Sequence, residues 1–117
     1  MTNEEQKNIL MAGGKELGLA IGDKELSSFL SYLKELKEWN KKINLTAITD
    51  DKDIIIRHFL DSLTLASFLS GKETLLDIGS GAGFPGIPLN IVIPDLKITL
   101  MDSVNKKVIF MRHIIRT

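Results

Sequence analysis

Across residues 1–70, apolar side chains recur every three or four positions, the period of helices that bury one face. The clearest stretch follows Asp23, a residue type suited to capping a helix N-terminus. Leu26, Phe29, Leu30, Leu33, Leu36 and Ile43 fall on one side, and Lys34, Glu35, Lys37, Glu38, Lys41 and Lys42 mostly take the other. Tyr32 and Trp39 share a face and read as packing anchors rather than as a platform for stacked bases. A shorter helix over residues 3–17 precedes this one and ends at the glycines Gly18 and Gly22. Beyond Ile43, Asn44-Leu45-Thr46-Ala47-Ile48-Thr49-Asp50 is a polar connection. Helix resumes near Asp51, bends or restarts around His58, and runs to Phe68 or Leu69 before Gly71 stops it.

From Lys72 the pattern changes. Thr74-Leu75-Leu76-Asp77-Ile78 is a short apolar strand that enters a glycine loop, Gly79-Ser80-Gly81-Ala82-Gly83-Phe84-Pro85-Gly86. A helix over residues 87–93 ends at Pro94, and a second strand, Lys97-Ile98-Thr99-Leu100-Met101, closes on Asp102. Ser103 or Asn105 then caps a final helix that reaches the last residue. Strand, glycine loop, helix, strand, helix is the opening of an α/β parallel sheet with right-handed crossover. The reading is therefore a helical region, 1–70, and the first βαβα part of a Rossmann-like sheet, 71–117. A doubly wound domain has about five or six strands. The chain is expected to be cut in mid-fold, incomplete at its C-terminus, and to self-associate through the unfinished sheet.

Composition narrows the chemistry. Of 117 residues, 44% are hydrophobic and 26% charged, as in a globular protein. The 15 basic and 15 acidic side chains cancel, so bulk charge does not recognise nucleic acid, although a local basic patch remains open. The chain has no cysteine, which excludes disulfides, a thiolate nucleophile and a zinc–thiolate site. No metal is expected, because the two histidines lie far apart in sequence. The polar, acidic N-terminus does not read as a secretory signal, and no apolar run approaches the roughly 18 residues of a membrane span. A cytoplasmic protein without a membrane partner is expected.

Gly81-Ala-Gly-Phe-Pro-Gly86 fits the pattern G-x-G-x-x-G between a strand and a helix, with Asp102 at the next strand tip about 20 residues on. This context points to a nucleotide-type ligand whose close approach requires glycine backbone. Asp77 helps to choose which one. A carboxylate at the strand end would repel the pyrophosphate of a dinucleotide, whereas S-adenosylmethionine has no phosphate and carries an ammonium and a sulfonium. Asp102 suits either ligand, since a carboxylate accepts hydrogen bonds from ribose hydroxyls. Asp77 could equally cap the loop's own N–H groups.

Asp77-Ile-Gly-Ser-Gly-Ala-Gly-Phe-Pro-Gly-Ile-Pro-Leu89 resembles the cofactor loop of the glucose-inhibited division protein B family. These are S-adenosylmethionine-dependent guanine-N7 methyltransferases of bacterial small-subunit (16S) ribosomal RNA. Trp39-Asn-Lys-Lys-Ile-Asn-Leu-Thr46, Ile56-Arg-His-Phe-Leu-Asp-Ser-Leu63, and Leu100-Met-Asp-Ser103 followed by Lys106-Lys107 resemble the same family. The resemblance covers essentially the whole chain. It implies that Gly79, Gly81, Gly83 and Phe84 lie against the cofactor with Asp77 nearby. Asp102 and Ser103 would fall at the ribose or adenine end. Arg57, His58, Asp61 and Ser62 would sit near the mouth of the site, and Asn44 and Thr46 would form a turn or touch substrate. Family chains continue through further strands, which places the activity of this shorter chain in question. It implies small-subunit ribosomal RNA or the ribosomal subunit as partner, and transfer to an N7 that carries no proton, with no catalytic acid–base pair. Two other readings stand beside it: a fragment of an NAD-dependent oxidoreductase, and a non-catalytic module that binds RNA or protein.

Overall fold

The computed structural model describes residues 1–117. Helix α1 (Asn3–Glu16) begins with a reciprocal cap in which the Thr2 hydroxyl accepts the Glu5 N–H at 3.1 Å and the Glu5 carboxylate accepts the Thr2 N–H at 3.3 Å. It ends at Leu17, and Gly18, at φ 77°, turns the chain toward α2 (Asp23–Asn40). Gly22 occupies the cap position of α2 without a side-chain bond, so Asp23 is the first helical residue and not the cap. Its carboxylate still sits at the positive end of the helix dipole. Ile43 lies beyond the end of α2 but packs against the same core as the α2 stripe.

The segment after the connection is less regular than its apolar pattern implies. Asp50 caps α3 (Asp51–Ile54) by accepting the Asp53 N–H at 3.2 Å. The backbone then widens into a π-helical stretch, Ile55–Leu60, before α4 (Asp61–Leu63) and a 3₁₀ turn, Ala66–Phe68. Helix thus gives way at Leu63 rather than at Phe68 or Leu69. The wide turn falls where His58 marks a restart.

Strands β1 (Thr74–Ile78) and β2 (Lys97–Met101) pair in parallel, from Thr74 opposite Lys97 to Ile78 opposite Met101. Helix α5 (Gly86–Val92) makes the crossover, and α6 (Asn105–Arg116) follows β2. Neither Ser103 nor Asn105 caps α6. Val104 holds the cap position, and the Asp102 carboxylate accepts its N–H at 2.8 Å. One sheet face turns Leu75, Asp77, Ile98 and Leu100 inward. The other leaves Leu76, Ile78 and Met101 exposed, Ile78 to 74%.

A single core joins the helical and sheet regions. Leu10, Phe29, Tyr32, Phe59, Ala82 and Phe110 belong to one buried cluster. Helix α2 lies at its centre, against α1 on one side and α5 and α6 on the other. Phe59 stacks near Tyr32 with ring centres 5.0 Å apart and near Phe29 at 5.3 Å. Each such fully buried aromatic contributes about 1.5–3 kcal/mol of burial. The π-helical stretch delivers Phe59 to the core and presents Arg57 and His58 toward the glycine loop.

Candidate functional site

The loop leaves β1 at Gly79 and enters α5 at Gly86, and its hydrogen bonds fix its shape. Gly79 and Ser80 donate their N–H groups to the Met101 carbonyl at 2.7 and 3.0 Å. Gly81 donates to the Asp102 carboxylate at 2.8 Å, and Gly83 and Phe84 donate to the Ser80 carbonyl at 2.8 and 3.0 Å. Between Gly79 and Phe84 only the Ala82 N–H is not donated within the protein. A loop built to cradle phosphate points such groups outward. Here they are already used.

The glycines serve two purposes. At Gly79 (φ 74°) and Gly81 (φ 57°) a Cβ would meet nothing within 4 Å, so both border open space. At Gly83 (φ 101°) a Cβ would lie 2.8 Å from the Tyr32 hydroxyl oxygen and 2.4 Å from Ile87 Cδ1. Glycine is required there by close packing.

Two carboxylates frame the loop from different positions. Asp77 is buried under it, with Oδ2 accepting the Gly86 N–H at 3.0 Å while the Ser80 hydroxyl donates to the Asp77 carbonyl at 2.8 Å. Burial raises the Asp77 pKa, and the bonds from Gly86 and Ser80 oppose that rise. The capping role open to Asp77 is the one its side chain performs. Asp102 is partly exposed at the strand tip. The N–H groups of Val104 and Gly81 hold its pKa down, with a smaller contribution from Lys107. One oxygen takes each N–H, which leaves further lone pairs for a ligand. Ser103 is exposed beside it.

A cleft of about 290 Å³ adjoins the loop, lined by Arg57, His58, Asp61, Ser62, Phe84 and Pro85 among others. The His58 ring stacks on Phe84 with centres 4.4 Å apart and planes 9° from parallel. His58 Nε2 lies 2.8 Å from the Thr46 hydroxyl, which also accepts the Ile48 N–H at 3.1 Å. Burial, then the Arg57 charge, lowers the His58 pKa, against a smaller opposite pull from Asp61. The Ser62 hydroxyl is buried and donates to the His58 carbonyl at 2.6 Å. Arg57 and Asp61 are exposed on the cleft wall. Asn44 is exposed on its loop and does not line this cleft. A larger groove of about 500 Å³ runs between α2, α5 and α6 along β2. Apart from Tyr32, its wall is built mainly of aliphatic side chains, and it holds none of the residues singled out as site candidates.

Two contributors escape sequence reading. The Tyr32 hydroxyl donates to the Ala82 carbonyl and ties α2 to the glycine loop. Burial, followed by the Asp77 charge, raises its pKa well above the ordinary phenol value. The Asn40 side chain accepts the N–H groups of Leu45 and Thr46 at 2.9 and 3.0 Å, which sets Thr46 against His58. A polar residue at a helix end is the only local signal for Asn40. Tyr32 has none, because its partner is fifty positions away.

The loop, two carboxylates and adjoining cleft match known proteins. The family model described as rRNA small subunit methyltransferase G matches residues 25–117. A ribosomal RNA small subunit methyltransferase G from Geotalea uraniireducens is 54% identical over 114 residues, covering 97% of this chain and 52% of the relative. The protein of that name from Geobacter sulfurreducens is 50% identical over 108 residues, covering 92% of this chain and 50% of its own length. The one from Alkaliphilus metalliredigens is 47% identical over 112 residues, covering 94% and 47%. The chain therefore spans about half the length of the curated relatives it matches. With the match running from α2 through the glycine loop to the end of α6, the chain belongs to the rRNA small subunit methyltransferase G family.

Proposed function

We propose that the Gly79–Gly86 loop binds S-adenosylmethionine, and that the chain contributes this site to methyl transfer onto N7 of a guanine in small-subunit (16S) ribosomal RNA. The observation that carries the reading is the state of the loop. Its N–H groups are spent inside the protein, open space borders Gly79 and Gly81, and carboxylates stand where a phosphate ligand would be repelled. This arrangement fits a ligand with cationic and hydroxyl groups and tells against a nicotinamide dinucleotide.

Asp102, held as a carboxylate by its two N–H donors, accepts from ribose hydroxyls, with Ser103 beside it. Asp77 supplies negative charge beneath the loop, and the backbone of Gly79 and Gly81 permits close approach. Phe84, backed by His58, forms an apolar wall that excludes water from the cleft side. Bound here, S-adenosylmethionine supplies an electrophilic methyl carbon, which a guanine N7, carrying a lone pair and no proton, accepts without a general base. The task left to the side chains is positioning and water exclusion. His58, Asp61 and Ser62 need not move a proton.

Isothermal titration with S-adenosylmethionine and with NAD tests the assignment. The chain should bind the first and not the second, and Gly81→Val should abolish binding, because a branched side chain fills the open space and resists φ 57°. A folded Gly81→Val chain of unchanged affinity refutes the loop as the site.

A further inference from the structure

We infer that the cleft beside Phe84 and Pro85 receives a guanine base, its Watson–Crick edge read by Asp61 and Arg57. The inference rests on the proposed function and adds the residues that select the base.

Asp61 and Arg57 are four positions apart, exposed, and both line the cleft. Elsewhere the chain pairs such groups. Lys37 meets Asp51 at 2.6 Å and Lys41 meets Glu38 at 3.6 Å. Arg57 and Asp61 form no ion pair with each other or with any other residue, and no N–H or O–H of the protein donates to the Asp61 carboxylate. The cleft thus offers an acceptor-only group and a donor-only group, both free of protein partners.

Guanine is the base that matches this set. Its N1–H and 2-amino group are adjacent donors that a carboxylate takes together, and O6 beside them accepts from a guanidinium. Adenine places an acceptor at N1, which a carboxylate repels. Phe84 and Pro85 supply an apolar wall for the flat ring, as in proteins that read splayed-out RNA bases. Contacts to N1, the 2-amino group and O6 leave N7 free.

The test is an amide ¹H–¹⁵N NMR titration of the 117-residue chain with the 5′-monophosphates of guanosine, inosine and adenosine, followed by S-adenosylmethionine. The shared phosphate and ribose cancel in the comparison. Guanosine monophosphate should shift amides between Arg57 and Leu65 and at Phe84. Inosine monophosphate lacks only the 2-amino group and should bind about tenfold more weakly, the loss of one hydrogen bond to a charged group. Asp61→Asn should erase that preference, and Arg57→Ala should weaken both nucleotides alike. Both side chains are exposed, so the spectra should otherwise keep the native pattern. Equal binding of the three nucleotides, no binding, or shifts confined to other surfaces overturns the inference. S-adenosylmethionine reports separately through the amides of Gly79, Gly81 and Gly83. A chain that responds there without preferring guanine retains the proposed function and loses this inference, and the converse response separates them the other way.

Discussion

Replacing Tyr32 by phenylalanine isolates the bond between the helical region and the glycine loop. The ring would remain, with its centre 5.0 Å from that of Phe59 and 5.7 Å from that of Phe84, so packing is retained. What goes is the hydroxyl that meets the Ala82 carbonyl in a buried setting. An intramolecular hydrogen bond contributes about 0.5–1.5 kcal/mol net, and leaving a buried carbonyl without a partner adds to that. The expected loss is about 1–2 kcal/mol, read as a lower urea midpoint at unchanged slope. The pH dependence gives a second reading. Burial, with the Asp77 charge, raises the Tyr32 pKa well above 10.0, so the fold favours the neutral phenol. That contribution is fully present below the unfolded value of about 10 and is lost as pH rises from there through the folded value. Tyr32→Phe removes this group, so its deficit at pH 7 should shrink above about pH 10. A variant as stable as the parent at neutral pH, with the same alkaline limb, refutes the argument that this hydroxyl anchors the loop.

Gly83→Ala should destabilise by about 2 kcal/mol or more, because φ 101° and contacts with Ile87 and Tyr32 both oppose a Cβ; thermal unfolding measures it. Asp102→Ala should weaken S-adenosylmethionine binding by about 1.5–3 kcal/mol in calorimetry, with the fold retained. The His58 pKa is lowered by burial first, so its contribution is present above the unfolded value of about 6.5 and lost as pH falls through the folded one. Urea midpoints from pH 7.5 down to 5 should show this acid limb, and His58→Phe should lack it. The uncovered face of Leu76, Ile78 and Met101 should make the chain self-associate as concentration rises; a strictly monomeric sedimentation profile contradicts this.

Both strands were legible to the residue, since Thr74–Ile78 and Lys97–Met101 are short apolar runs bounded by turn-forming or acidic residues. The glycine loop and the acid at the next strand tip were legible for the same reason: strand, loop and helix follow one another locally. The division of labour among the glycines was not. Gly79 and Gly81 border space, whereas Gly83 meets Tyr32 from α2, and only three-dimensional packing tells them apart. The cap at Gly22 in place of Asp23, and the backbone cap from Asp102 in place of Ser103 or Asn105, reflect choices among adjacent polar groups. Composition does not resolve such choices. His58 was recognised as a break in the helix, but its stack on Phe84 depends on the wide turn that carries it there.

The π-helical stretch Ile55–Leu60 constrains how the gene for this chain can vary. Its wide turn accommodates one residue more than an α-helical turn holds. Substitutions within it change a side chain and leave the spacing alone. Loss of a single codon would let the segment relax to an ordinary α-helix and rotate everything after it by about 100° relative to what precedes. Asp61 and Ser62 would swing away from Arg57 and His58, and Phe59 would lose its alignment with Phe29 and Tyr32. Composition, apolar content and net charge would hardly register such a deletion, yet it would take apart the core and the cleft together. The number of residues between Asp50 and Leu63 is therefore under tighter restraint than the identity of most of them.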